Sequence, residues 1–201
     1  RMSILVADSG ASSTTWAEIS GDQEQIFRTS GINPAIKVDA EIESVIFDEL
    51  SMLMNMSAVD EVHFYGAGCK DFKNAKRVER ILSEAFRNAN IKIKTDVEGA
   101  GIAAFGQSTG IVVISGTGSS AGFMDGGAIV DYMPSKAYPE GDFGSGSHIG
   151  SLIMKDFYSN EAPAEIKRLI ESRRRLTIDQ LFVVFQDPTK SKMIASKVLA
   201  D

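Results

Sequence analysis

The chain carries one cysteine, Cys69, in 201 residues. A single thiol excludes a disulfide framework within the chain, and it excludes a zinc or iron–sulfur site built from the cysteines of one chain alone. Histidine is almost as scarce. His63 and His148 lie far apart with no carboxylate partner in ligand spacing, so they make no metal site; His63 alternates with apolar neighbours and reads as structural, while His148 is open. Long apolar runs are missing too: stretches such as Ile111 to Ile114 fall far short of the ~20 residues that span a bilayer. Basic residues are outnumbered, 21 Lys and Arg against 27 Asp and Glu, for a net charge of −6. Nucleic acid and anionic membranes are recognised through a basic footprint, so neither partner is expected. The only dense basic cluster, Arg173-Arg174-Arg175, reads as a solvated helix end. The opening Arg1-Met2-Ser3-Ile4 has too little charge and too short an apolar run for a secretory signal, and a soluble cytoplasmic protein is expected. With 43% hydrophobic and 24% charged residues, the balance is that of a globular chain and not a disordered one.

What is present is a sequence of strand and helix patterns that begins again half-way. Ile4 to Ala7 is a short apolar run entering a turn at Asp8-Ser9-Gly10, and Thr14 to Ile19 and Gln25 to Thr29 continue as strands joined by small polar turns. Ile42, Val45, Ile46, Leu50 and Leu53 recur at spacings of three and four, the stripe of an amphipathic helix. Val62 to Tyr65 is a strand stopped by Gly66-Ala67-Gly68; Phe72 to Ala89 is helical; Ile91 to Lys94 alternates as a strand; a small-residue helix runs from Glu98 to about Phe105. The order β-β-β-α-β-α-β-α then restarts at Ile111 to Ile114, with further strands at Ala121 to Met124 and Ala128 to Tyr132. Two similar α/β subdomains with a boundary near residues 105–110 are expected. From Gly144 onward the pattern is mostly helical. Met52, Met54 and Met56 read as core and helix-end packing.

Four segments could carry chemistry. Asp8-Ser9-Gly10-Ala11-Ser12-Ser13-Thr14-Thr15 packs a carboxylate, a glycine and five hydroxyls into a strand–turn–strand, which lets backbone N–H groups approach an anion; the carboxylate beside them suits a hydrated Mg²⁺. A hairpin with a polar face is the plain alternative. Ser115-Gly116-Thr117-Gly118-Ser119 repeats that chemistry after the second subdomain's first strand, and two such turns in a repeat could hold a polyphosphate from both sides. Neither is a Walker P-loop, since no G-x-x-x-x-G-K-[ST] occurs. Thr95-Asp96 ends a strand before a helix, where Asp96 could take a proton from an attacking hydroxyl or serve as the helix cap. Gly141-Asp142-Phe143-Gly144-Ser145-Gly146-Ser147 is either a binding loop or a connector ending in a cap.

Taken together, these segments resemble the sugar-kinase/actin/heat-shock-chaperone ATPase superfamily, and within it the branch of N-acetylglucosamine kinases and BadF/BadG/BcrA/BcrD-type ATPases. Asp8 to Thr14 is similar to the first phosphate loop, Ser115 to Ser119 to the second, and Thr95-Asp96 with Gly99-Ala100 to the segment of the catalytic base. Gly31-Ile32-Asn33-Pro34 is similar to the sugar-contacting loop, and Gly141 to Gly146 to the G-D-E-G-S-G element. The resemblance implies an α/β fold of two RNase-H-like subdomains, each a mixed sheet flanked by helices, with a cleft for ATP and sugar between them. Residues 1–107 would form the first, and 108–201 the start of the second with a helical insertion. It implies a kinase using ATP and Mg²⁺ on a small-molecule amino sugar, with N-acetylglucosamine and its 6-phosphate foremost. Asp96 would deprotonate the sugar hydroxyl; Asp8 would order the Mg²⁺ through water. Gly10, Ser12, Ser13, Thr14, Gly116, Thr117, Gly118 and Ser119 would hold phosphates, and Asn33, Asp96 and Asp142 would contact the sugar. A homodimer is expected on the same ground.

Three departures from the family pattern stand out. Phe143 occupies the position of a Glu, Ser135-Lys136-Ala137-Tyr138 lacks the usual upstream pattern, and no glycine follows Gly150, where a glycine-rich adenine element comes late in the family. The chain is therefore expected either to omit part of the protein or to belong to one unable to hold adenine normally. Two alternatives keep the same fold: an ATPase activator of a dehydratase or reductase, which needs two cysteines per chain for a cluster bridging two chains, or a non-catalytic sugar- or nucleotide-binding module. An α/β domain of unrelated function is the last.

Overall fold

The computed structural model of this chain describes residues 2–134, 136 and 140–173. They fall into two compact units. The first comprises the described residues up to Val112 together with Phe123–Val130, and the second Val113–Gly122 with the described residues from Asp131 onward.

A five-stranded sheet organises the first unit. β1 (Ser3–Ser9), β2 (Ser13–Ser20) and β3 (Gln23–Ser30) form an antiparallel meander, and β4 (Glu61–Gly66) and β5 (Asn90–Thr95) add on the other side of β1, parallel to it. The sheet order is β3-β2-β1-β4-β5. Period-two alternation sends Leu5, Ala7, Trp16, Val62 and Phe64 to one face, where all are fully buried. α2 (Phe72–Ala85) covers that face with Val78, Ile81 and Leu82, and the strip from Asp39 to Met52 covers it with Ile42, Val45, Ile46 and Leu50. Trp16 finds a partner for its ring N–H in Thr29 Oγ1 at 2.9 Å and tilts against Phe64 at 6.1 Å between ring centres.

The strip after β3 differs from the single helix its spacing predicts. α1 (Asp39–Ser44) passes into a wide five-residue turn at Val45–Glu49 and then a tight one at Leu50–Met52. The widened turn keeps four apolar side chains in the core and brings Glu49 Oε2 to the Ser30 N–H at 2.7 Å. Met54 and Met56 pack against the core as expected, whereas Met52 is 86% exposed and belongs to no core. His63 does have a carboxylate partner, contrary to the expectation from sequence: Glu61, two residues earlier on the same strand, at 2.8 Å, a pairing in keeping with a structural histidine.

α3 (Asp96–Phe105) follows β5, and a three-stranded sheet comes next: β6 (Gly110–Ser115), β7 (Ser119–Asp125) and β8 (Ala128–Tyr132), in that order. Gly126 and Gly127 connect β7 to β8, both with positive φ (59° and 80°), as a two-residue hairpin turn of the primed type requires. In the second unit α4 (Gly146–Tyr158) packs Met154 against Ile170 of α5 (Ala164–Arg173). The tail of the Arg173–Arg175 cluster and the Ser135–Tyr138 motif, Lys136 excepted, lie outside the described residues. Among those residues no helix is long and apolar enough to cross a membrane.

Candidate active site

β1, β4 and β5 run parallel and finish level: Ser9 pairs with Gly66, and Gly66 with Thr95. The segments leaving them, Gly10–Ser13, Ala67–Lys70 and the first turn of α3, therefore gather at one edge of the sheet, the edge where open α/β sheets place their ligands. Asp8 lies one residue short of that edge, exposed, in register with Tyr65 and Lys94.

Asp96 opens α3 without capping it. The cap is Thr95, whose Oγ1 accepts the Glu98 N–H at 3.1 Å while Glu98 Oε2 accepts the Thr95 N–H at 3.1 Å. This is a reciprocal capping box, and the cap role open to Asp96 from the sequence falls to its neighbour. Relieved of that role, the Asp96 carboxylate accepts the adjacent Val97 N–H at 3.0 Å. Burial holds the Asp96 carboxyl above the ordinary aspartate range, the Val97 N–H opposes this, and the charge of Asp8 adds to it. A carboxylate made more basic and placed beside a second carboxylate is suited to accept a proton.

The first loop keeps its backbone tight, with the Gly10 N–H on Ser13 O at 3.0 Å, and shows the Ser12 and Ser13 hydroxyls to solvent. Thr14 stands apart from them. It is fully buried, its Oγ1 lies 2.7 Å from Ser9 Oγ and 3.2 Å from Ser30 O, and no face is left for a phosphate. Ser9 Oγ in turn takes the Ile32 N–H and gives to Ile32 O, both at 3.0 Å. These bonds clasp the Gly31–Pro34 loop to the end of β1. Asn33 then makes a turn on itself, its Oδ1 accepting the Ala35 N–H at 3.0 Å and its carbonyl the N–H groups of Ile36 and Lys37. Gly68, at φ +83°, lies so close over Asn33 Oδ1 that a Cβ there would collide with it. From α2, the Arg77 guanidinium reaches Pro34 O (2.8 Å), Lys37 O (2.9 Å) and Asp39 Oδ1 (2.7 Å). Nothing in the sequence marks that arginine, which sits on an ordinary amphipathic helix; the Thr-x-x-Glu box at Thr95, by contrast, is a readable signature. Cys69 is buried at the same edge, its thiol pushed up to about 12 by burial and by the charge of Asp96. Such a thiol is a poor nucleophile and a poor metal ligand.

The second unit carries its own cluster. Asp142, at φ 57°, is buried, and its Oδ1 accepts the Ser119 N–H at 3.0 Å under Gly118, whose missing Cβ leaves room for it. Ser115 Oγ gives to Gly144 O (2.9 Å), Ser119 Oγ to Phe143 O (2.9 Å) and Ser147 Oγ to Thr117 O (2.6 Å). The Ser115–Ser119 turn and the Gly141–Ser147 element are thus one stitched unit, and the Asp142 carboxylate is engaged in holding Ser119. Gly116, Thr117 and Gly118 form the turn itself. Phe143 is 70% exposed, edge-on to His148 at 5.3 Å, and His148 Nδ1 accepts the Gly144 N–H at 3.2 Å, so this histidine is structural. Ser145 caps α4, as a connector ending in a cap would. The described residues hold no cluster of three or more His, Cys, Asp or Glu suited to a metal.

Compared with solved structures, the chain aligns over 96% of its length, at a TM-score of 0.85 and 29% identity, with a candidate N-acetylglucosamine kinase from Porphyromonas gingivalis, of which it covers 69%. The chain is similar in fold to the sugar kinases of the actin-like ATPase superfamily. A second candidate N-acetylglucosamine kinase, from Chromobacterium violaceum, aligns over 96% of this chain and 72% of its own at a TM-score of 0.73 and 17% identity, which speaks to the fold alone. The resemblance drawn from the short motifs is therefore carried by the three-dimensional structure as well. No protein-family model and no curated protein matches the chain.

Proposed function

We propose that this protein is a kinase that transfers the γ-phosphate of ATP to a hydroxyl of an amino sugar, N-acetylglucosamine to its 6-phosphate being the assigned reaction. The observation that carries the reading is Asp96: a carboxylate at the ligand edge of the parallel strands, released from helix capping by Thr95 and made basic by burial and by Asp8. The likeness to the Porphyromonas protein supports it.

The residues fit the cofactors this reaction uses. Mg²⁺ takes few protein carboxylates and keeps several waters, which suits the single exposed carboxylate of Asp8. When bound, Mg-ATP supplies the phosphoryl group with its charge partly neutralised. The chain's own part is positioning and proton transfer. Asp96 accepts the proton of the sugar hydroxyl; Asp8 orients the hydrated ion; Ser12, Ser13 and the Gly10 turn, and Gly116, Thr117, Gly118 and Ser119, hold phosphate oxygens. Asn33 meets the sugar with its amide N–H₂, since its Oδ1 is committed to the Ala35 turn. We assign Thr14 to the clasp and Asp142 to the second phosphate turn instead of to direct ligand contact. The activator reading asks for thiolate ligands, and the single cysteine is buried with a raised pKa.

The test is ADP release by the purified full-length protein with Mg-ATP, offered N-acetylglucosamine, glucosamine, N-acetylmannosamine, glucose or no sugar. Release that depends on an amino sugar is expected. ATP binding without turnover on any sugar refutes the kinase and leaves the binding module.

A further inference from the structure

We propose that Arg77 is a positioning residue that fixes the Asn33 turn for the sugar, so that sugar affinity depends on an arginine outside the sugar contacts; this rests on the kinase reading above. Asn33 sits on a loop, and a loop holds a ligand amide in place only if its flanks are anchored. Its upstream flank is anchored to the end of β1 and the turn after it: Ser9 Oγ grips both polar atoms of Ile32, and the Gly31 N–H bonds Ser12 O at 3.1 Å. Downstream there is no strand or helix until α1 starts at Asp39. Across that gap the backbone carbonyls of Pro34 and Lys37 both turn to the Arg77 guanidinium, which also bonds the first residue of α1 through Asp39 and its own helix neighbour Asn74 (3.2 Å). One planar fork thus ties the 34–39 segment to a helix whose other face is core. A lysine presents a point charge and cannot span three acceptors arranged this way.

The neighbouring arginine supplies the control. Arg80, one turn further along α2, also bonds Asp39 (2.8 Å), with Glu84 (2.8 Å), yet has no bond to the 34–37 backbone. The experiment compares wild type with Arg77→Met, Arg77→Lys and Arg80→Met in three readouts: KM for the sugar, KM for ATP, and amide hydrogen exchange over residues 35–37 in the free protein. Arg77→Met and Arg77→Lys are expected to raise the sugar KM about tenfold, the worth of one well-placed hydrogen bond, with the ATP KM within about twofold. Both should speed exchange at Ile36 and Lys37, whose N–H groups rest on Asn33 O. Arg80→Met should do neither. A sugar KM unchanged in Arg77→Met overturns the proposal, as does an equal rise in both KM values or the same effect from Arg80→Met. A wild type that phosphorylates no sugar overturns the kinase reading itself and the sugar role of Arg77 with it. Faster exchange together with an unchanged sugar KM overturns the proposal alone.

Discussion

Replacing Asp96 by Asn separates catalysis from stability, and the two should move in opposite directions. The amide keeps the size of the side chain and an oxygen for the Val97 N–H, and the α3 cap is untouched because Thr95 and Glu98 form it. What disappears is the ability to accept a proton. General-base catalysis is worth roughly 10²–10⁴ in rate, about 2.7–5.4 kcal/mol, so kcat should fall by that factor while both KM values stay near wild type. The stability sign follows from the raised pKa. A carboxyl that binds its proton more tightly in the folded state than in the unfolded chain leaves the native state with more bound protons, so stability declines as pH rises from the ordinary aspartate range through the raised value. Once the pH exceeds the raised value the cost of ionisation is fully present in wild type, and the amide never bears it. Asp96→Asn should therefore melt higher than wild type at pH 7, with the gap closing as the pH falls below about 4. Coupled-enzyme detection of ADP and thermal melts between pH 4 and pH 8 measure both. Activity within a few-fold of wild type removes Asp96 from the chemistry, and a lower melting temperature at pH 7 refutes the account of its burial.

Asp8→Asn removes the like charge beside Asp96, so the acidic limb of the kcat profile should move to lower pH while the requirement for Mg²⁺ rises; a limb that stays put separates the two carboxylates. Gly68→Ala forces a side chain onto φ +83° and against Asn33 Oδ1, and should cost about 1–3 kcal/mol in urea unfolding and raise the sugar KM. Cys69 should resist a thiol-disulfide reagent at pH 8 in the native protein and react at once in denaturant; rapid labelling of the folded chain would contradict its burial.

Most of the first unit could be read directly from residue periodicity. Apolar alternation in β1, β2 and β4 and the Val78-Ile81-Leu82 stripe of α2 obey simple rules, and each became the element it suggested. The wide turn at Val45–Glu49 did not show, because its apolar spacing is also that of a straight helix; the widened backbone, which brings Glu49 to Ser30, leaves no mark in that spacing. The candidate site was legible as types of residue but not as assignments. Small hydroxyl residues and a carboxylate marked the Asp8–Thr14 turn, yet which hydroxyl faces outward depends on β-strand register, and register buried Thr14. Asp142 likewise looked ready for a ligand until its partner across the chain, Ser119, became visible. Contacts of that range, and the grip of Arg77 on carbonyls forty-odd positions away, leave no local pattern.

The outer strands of the five-stranded sheet also decide how this unit can meet another molecule. An unpaired strand is a template for aggregation, and proteins blunt it with charge. At one border β3 sets Glu24 and Arg28 on either side of Ile26, which is 65% exposed, and the N–H of its last residue is occupied by Glu49. At the other, β5 alternates Lys92 and Lys94 along its length, both drawn into ion pairs, with Glu61 at 2.9 Å and Glu98 at 3.5 Å. Both borders are thus guarded against sheet extension and fibre growth. Strand-to-strand pairing with a second copy is disfavoured at both borders, and contact over helices or loops is the route left open.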